Sequence, residues 1–387
     1  MTQHGFLVLP RPGETTLRTL RRKVRLLAVR TLVTARVPGP VSRPLARFQD
    51  WLTEALQARP GAVLEAVGSP DVLPQVLCLA AGLTDPAARI AEGVPNLLAA
   101  LPERPPQALL WDHPVSRLAV PALGRAWTFE PPLRGLVVDP LGIEVRHSDD
   151  RLERLPLAGG LSPYHPLADG LALATLDTHP LSDHEDHPDK SGNALDLGGR
   201  SVQDWTAALR EALALIALAL PHWAAERPVT LTRLLPVGFE PERHLSASYR
   251  EAPGLAWLTL HPDPVTLAEA IVHEAQHSKL NLVSWLDPVL VNGQTTWTES
   301  PVRPDLRPLM GVLLAAHAFV PVAMLHHRLA ALGHPLSQTP HFARRRAQVL
   351  ESNARGLSVI QEQGEPTALG ARVVRDLAAL HAGLLSA

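Results

Sequence analysis

The residues best suited to chemistry are His273, Glu274 and His277, which form an H-E-x-x-H pattern. Residues four apart on an α-helix lie on the same face, so the two imidazoles can bind one metal ion. Thr266 and Glu269 stand in the S/T-x-x-E spacing of a helix start, and apolar residues at helical spacing follow. The sequence therefore predicts a metal site on a helix that starts near Thr266, with His273 and His277 as ligands.

Two imidazoles make a weak site, so a third ligand is expected farther along the chain. The candidates are His317, Glu299, Glu351, His326 and His341. His317 is the best of them, because it interrupts an otherwise apolar helical stretch where an unpaired polar group would be costly. His326 and His327 lie near a polar helix end and are expected to be solvated. We therefore predict His317 as the third metal ligand.

The identity of the metal would decide the class of enzyme. Zinc, with Glu274 as general base, would make a metallopeptidase. Iron(II) with open coordination positions would make an oxygenase. A third hypothesis is a peptide-binding protein with a degenerate metal site, which would use the basic amphipathic stretch Thr15–Val37 as a docking surface. Spacing alone leaves all three open.

Several short motifs occur in a fixed order around the H-E-x-x-H pattern. They are Ser246-Ala247-Ser248-Tyr249, Thr266-Leu267-Ala268-Glu269-Ala270, Arg303-Pro304-Asp305-Leu306-Arg307-Pro308-Leu309 and the helical stretch Gly311–Phe319. The region from about Ser246 to Leu329 thereby resembles the HExxH-type peptide-modification family, which is thought to comprise 2-oxoglutarate-dependent peptide β-hydroxylases of ribosomal peptide natural-product pathways. The chain departs from the family pattern at Val302, where that family often has Trp-Arg just before the Asp-x-Arg-Pro element.

The resemblance implies iron(II) as cofactor, 2-oxoglutarate and O2 as cosubstrates, and a peptide substrate that is free, leader-bearing or carrier-linked. A site of this kind needs a cation for the distal carboxylate of 2-oxoglutarate, and Arg binds carboxylates bidentately. Arg307 and Arg303 are the candidates. Ser246 and Ser248 could hydrogen-bond cosubstrate or peptide. Glu274, no longer a hydrolytic base, would orient water, pair with an arginine or support a ligand.

Composition restricts the remaining functions. The 387 residues include 36 basic and 38 acidic side chains, and the formal charge of −2 argues against a nucleic-acid binder. Cys78 is the single cysteine, as expected in a reducing compartment. The most apolar run, Ala207–Leu220, contains Arg210 and Glu211 and is too short to cross a bilayer. We expect a cytoplasmic protein with no membrane partner.

The elements that would position the site follow from periodicity. Helical patterns occupy most of residues 1–105, short alternating runs within 106–200 predict a small sheet or hairpin, and residues 201–387 are mainly helical and carry the metal site. Ser201 and Asp204 form a predicted capping box, and Val229–Leu235 and Leu255–Leu260 are strand-like. Lys279 is expected to be an exposed helix charge, with the anchoring of an acidic peptide as the alternative. The predicted fold class is α+β, mainly helical, with three regions divided at about residues 105 and 200.

Overall fold

A computed structural model of the chain describes residues 5, 7–11, 15–102, 107–156, 159–182, 186–187, 190–299 and 305–386. In this part of the chain, eleven α-helices accompany several small β-sheets. The predicted α+β, mainly helical fold class is confirmed.

The chain forms two compact units, and their boundaries differ from the three predicted regions. One unit comprises 21–165 and 174–194, and the other comprises 1–20, 166–173 and 195–387. The predicted division near residue 200 is close to the observed one at 195. The sequence did not reveal that short earlier segments belong with the C-terminal unit, because such associations depend on pairing between distant residues.

The helices of the first unit agree with the predicted helical region. They are α1 (Thr16–Thr34), whose first turn precedes the unit boundary, α2 (Ser42–Ala58), α3 (Pro60–Val67), α4 (Leu73–Ala81) and α5 (Pro86–Ala100). Asp85 caps α5 by accepting from the amides of Ala87 and Ala88, and α4 ends at Gly82 in the left-handed conformation. These are ordinary helix start and stop devices.

The strands of this unit are short and antiparallel. They are β1 (Leu109–Trp111), β2 (Val115–Val120), β3 (Arg125–Leu133), β4 (Gly135–Asp139), β5 (Gly142–Arg146) and β6 (Leu152–Arg154). They form one sheet in the order β1-β4-β5-β6 and a separate β2–β3 pair. The small sheet predicted within residues 106–200 is therefore present.

A five-stranded mixed sheet belongs to the second half of the fold. Its strands are β7 (Tyr164–Ala168), β8 (Leu171–Ala174), β11 (Leu231–Phe239), β12 (Ser246–Ala247) and β13 (Gly254–Leu260), in the order β12-β13-β11-β8-β7. Strand β11 is parallel to both β8 and β13, and β12 is antiparallel to β13. Every residue of β13 is buried, as its continuous apolar sequence requires. The remaining strands, β9 (Asp186–His187), β10 (Lys190–Ser191), β14 (Trp297–Glu299) and β15 (Leu306–Pro308), form two short antiparallel pairs.

Six helices complete the C-terminal unit. They are α6 (Val202–Ala219), α7 (Trp223–Thr230), α8 (Pro264–Ser284), α9 (Leu309–Ala331), α10 (Pro340–Gln363) and α11 (Ala368–Leu385). The predicted capping box is confirmed, because Ser201 and Asp204 each accept a hydrogen bond from the other's backbone amide. The start predicted for α8 was two residues late: Asp263 is the cap, accepting from the amides of Val265 and Thr266.

Helix α9 is long and apolar enough to span a membrane, the one such helix in the described part of the chain. The most apolar run is therefore α9 and not the predicted Ala207–Leu220. However, 78% of its apolar window is buried within the protein. Packing against α8, α10 and α11 accounts for that apolarity.

Helix α8, which carries the H-E-x-x-H pattern, is held by a buried ion pair. Lys279 is 0% exposed, and its Nζ lies 2.5 Å from Oε1 of Glu226 on α7. The prediction of an exposed lysine was wrong, because this partner on a distant helix could not be inferred from local sequence. Burial lowers the pKa of Lys279 and raises the pKa of Glu226, while their mutual attraction opposes both shifts.

We predict that Lys279→Met lowers the free energy of unfolding by about 3 kcal/mol, because it leaves the buried Glu226 carboxylate without its cation. Lys279→Met/Glu226→Leu should recover most of that loss. Denaturant unfolding followed by circular dichroism measures both variants. The exposed helical residue Arg372 supplies the control, since Arg372→Met should change stability by no more than about 0.5 kcal/mol. Equal stability of the wild type and Lys279→Met would contradict the prediction.

Candidate metal centre

Helix α8 brings the two motif histidines together. The Nε2 atoms of His273 and His277 are 2.7 Å apart, and the rings meet edge to face with centroids 4.2 Å apart. This follows from the four-residue spacing, which stacks the two side chains on one helix face. The first requirement of the predicted site is thus met by local geometry.

Glu274 lies beside the same two nitrogens. Its side chain is only 2% exposed, and its Oε1 is 3.9 Å from Nε2 of His273. Among the described residues, His273, Glu274 and His277 form the one group whose ligand atoms all lie within 4.8 Å of one another and could hold a metal ion. The set contains two imidazoles and one carboxylate.

A hydroxyl group fixes the orientation of this carboxylate. Ser246, on β12, donates from Oγ to Oε1 of Glu274 at 2.6 Å. Strand β12 is held in place by its pairing with the buried β13. The sheet therefore positions Ser246, and Ser246 positions Glu274.

The surroundings of both imidazoles favour the neutral form. Burial, followed by the charges of His277, His244 and Arg345, lowers the pKa of His273 well below its usual value. Burial and the Arg307 charge lower the pKa of His277 to about 4. A neutral imidazole has the lone pair that a metal ion requires.

The donor set fits a divalent transition-metal ion. Two nitrogens bound about 2.1 Å from one ion lie about 3 Å apart when the angle between them is near 90°. The observed 2.7 Å between the Nε2 atoms needs an adjustment of only a few tenths of an ångström. Nδ1 of each ring is buried and has no hydrogen-bond partner in the described part of the chain. The ring orientation is therefore set by packing, and His273 lies against Phe319 with centroids 4.5 Å apart.

His317, predicted to be the third ligand, is outside this group. Its side chain is fully buried in α9, and Nε2 donates to the backbone carbonyl of Leu7 at 2.7 Å. Burial is the main reason that its pKa falls to about 3. This nitrogen therefore binds the N-terminal segment, as the nitrogen of a core histidine ordinarily binds a backbone carbonyl. Glu274 is the third group near the two motif imidazoles.

The other ligand candidates are also accounted for. His326 is fully buried, and its Nε2 donates to Oε1 of Glu269 at 2.7 Å, so the prediction that it is solvated was wrong. Glu299 and Glu351 are exposed and lie outside the group that could hold a metal. His341 is exposed and lines a cavity next to His273.

The predicted cosubstrate residues occupy different environments. Arg307 is partly exposed, lies 3.6 Å from Asp305, and is close enough to His277 for its charge to lower the pKa of that ring. Arg303 lies outside the described residues. Ser246 contacts Glu274, as described above. Oγ of Ser248 is buried and has no hydrogen-bond partner in the described ranges.

Sequence reasoning missed the cavity wall next to His273. A cavity of about 280 Å³ is lined there by His244, Phe319, His341 and Arg345 together with Ser246 and Glu269. Glu269 carried a signal, because it stands four residues before His273 and therefore on the same helix face. Arg345 carried none, since the run Arg344-Arg345-Arg346 resembles a solvated helix face.

No family model matches the chain, and no curated protein shows significant similarity to it.

Proposed function

We propose that the protein is an iron(II)/2-oxoglutarate-dependent oxygenase that hydroxylates the β-carbon of a residue in a ribosomally made peptide or a carrier-linked substrate. The observation that carries the metal and reaction class is the group His273, Glu274 and His277. Two histidines and one carboxylate with open positions are the ligand set typical of non-haem iron(II) oxygenases. The peptide substrate rests on the family resemblance of the sequence.

In this proposal each residue has a defined task. His273 and His277 offer neutral nitrogens, and Glu274 offers a carboxylate oxygen that the Ser246 hydroxyl holds in place. Bound iron would supply the oxidising chemistry, in which O2 and 2-oxoglutarate yield a hydroxylated product, succinate and CO2. Arg307 places a positive charge near His277, where the carboxylate of a cosubstrate could be received.

A zinc metallopeptidase is the alternative, and the position of Glu274 is the observation that favours it. Oε1 lies 3.9 Å from Nε2 of His273, beside the point where the two imidazoles converge. A carboxylate there could activate a zinc-bound water as general base. This alternative needs a third protein ligand from outside the present group, whereas the oxygenase uses Glu274 itself.

We predict that protein purified without added ions retains about one metal ion per chain, and that His273→Ala and His277→Ala lose it. His317→Asn should retain the metal, because His317 is committed to Leu7. Elemental analysis by mass spectrometry measures the content, with circular dichroism as the check on folding. Loss of metal from a folded His317→Asn protein would restore His317 as a ligand and remove the basis of the three-residue site.

We predict that the iron-loaded protein, mixed anaerobically with 2-oxoglutarate and peptides encoded beside its gene, forms succinate when O2 is admitted. The peptide should gain the mass of one oxygen atom. Glu274→Gln should lower both yields, because a neutral amide is a poorer metal ligand than a carboxylate. Mass spectrometry detects both products. Chelator-sensitive peptide cleavage that Glu274→Gln abolishes, with no succinate, would instead establish the peptidase.

A further inference from the structure

The cavity next to His273 contains an arginine that no sequence motif indicates. Arg345 lies on α10, and its side chain is 33% exposed. It lines the cavity of about 280 Å³ and also a neighbouring cavity of about 240 Å³. Glu269, His341 and Arg345 belong to the walls of both cavities. One guanidinium therefore borders both spaces.

Two side chains hold the guanidinium of Arg345. Nε and Nη2 contact Oε2 of Glu269 at 2.9 and 2.8 Å, so this carboxylate occupies the Nε–Nη2 edge. Nη1 donates to Oε1 of Gln348 at 3.2 Å. A guanidinium has five N–H donors, and these contacts use three of them. One N–H on each terminal nitrogen remains, and a guanidinium can bind a carboxylate through two such donors.

Glu269 is itself fixed, so Arg345 is presented in a defined orientation. Oε1 of Glu269 accepts from Nε2 of His326 on α9. Burial alone would raise the pKa of Glu269, but the hydrogen bond from His326 and the charges of His326 and Arg345 outweigh it and lower that pKa. The carboxylate thus remains charged and stays on the side of Arg345 that it already occupies.

The position of Arg345 relates it to the candidate metal centre. Its Cζ lies 5.7 Å from the centroid of Phe319, whose ring in turn lies 4.5 Å from that of His273. Arg345, Phe319 and His273 therefore follow one another along the cavity wall. A ligand held at the guanidinium can extend past Phe319 towards the imidazoles. The volume of about 280 Å³ is close to the lower end of the range for small-molecule sites, about 300–1,000 Å³.

We propose that Arg345 is the anchor of a carboxylate subsite in this cavity, and that the ligand presents its other end to the metal centre. The carboxylate subsite stands independently, and only the orientation of the ligand towards the metal centre rests on the proposed function. Two sources of the carboxylate are compatible with the geometry: the cosubstrate 2-oxoglutarate, and an acidic side chain of a substrate peptide. The neighbouring cavity, with Val265, Leu336 and Phe342 in its wall, offers apolar contacts to a ligand that extends beyond the subsite.

The test measures binding to the metal-depleted full-length protein without O2, so it does not depend on turnover. The probes are 2-oxoglutarate and the blocked amino acid N-acetyl-glutamate amide, titrated by saturation-transfer NMR up to millimolar concentrations. We expect at least one probe to bind, and Arg345→Lys to weaken it by about tenfold or more, because lysine keeps the charge beside Glu269 but lacks the fork. Arg344→Lys, at an exposed position on the same helix, is the matched control and should bind like the wild type.

The probe that responds to Arg345→Lys identifies the source of the carboxylate. Failure of both probes to bind, or equal affinity of the wild type and Arg345→Lys, would overturn the proposal. A second measurement needs no variant: an arginine-selective dicarbonyl reagent should modify Arg345 in the wild type, and the bound probe should protect Arg345 while Arg344 reacts unchanged. Absence of protection would also overturn it. Carboxylate binding without succinate formation would reject the oxygenase and leave the subsite intact.

Discussion

The site depends on one constraint: two imidazoles and a carboxylate must converge from a single helix whose other faces are buried. Helix α8 packs against α6, α9 and β13, so it has little freedom to rotate or slide. Burial lowers the pKa of both motif histidines and keeps them neutral near pH 7. The same packing that largely buries these rings therefore keeps the lone pairs that metal coordination requires, because protonated imidazoles cannot coordinate.

Buried charges fix α8 on both sides of the motif. Glu269, four residues before His273, binds His326 of α9 and Arg345 of α10. Lys279, two residues after His277, binds Glu226 of α7. Buried ion pairs contribute little net stability compared with apolar packing, but a mismatched pair is costly. A rotation of α8 would break both pairs at once, and we infer that they specify the orientation of the helix that the metal site needs.

The sequence predicted what local periodicity controls. The α+β class, the helix bearing His273 and His277, the strands β11 and β13 and the Ser201 cap all follow from spacing and propensity, and all are present. The sequence-based predictions failed for side chains whose burial depends on a partner that is distant in the sequence. The local sequences around Lys279 and His326 predict exposed side chains. In the structure each side chain is buried and is paired with a carboxylate on another helix. The observed unit boundaries also depend on distant pairing, since β8 joins β11 across about sixty residues.

The position of His317 illustrates how a distant contact changes the chemistry of the site. Its Nε2 is engaged by the Leu7 carbonyl, and the neighbouring Val8 carbonyl accepts from Gln276, which lies between the motif residues Glu274 and His277. The N-terminal segment thus packs behind the motif and engages Nε2 of the histidine that the sequence suggested as a metal ligand. In the proposed oxygenase, a shell of three protein ligands that includes Glu274 would leave three of six octahedral positions for exogenous ligands. A bidentate cosubstrate and O2 need three such positions, whereas hydrolysis needs one position for water. The proposed ligand set therefore matches the coordination that the oxygenase reaction requires.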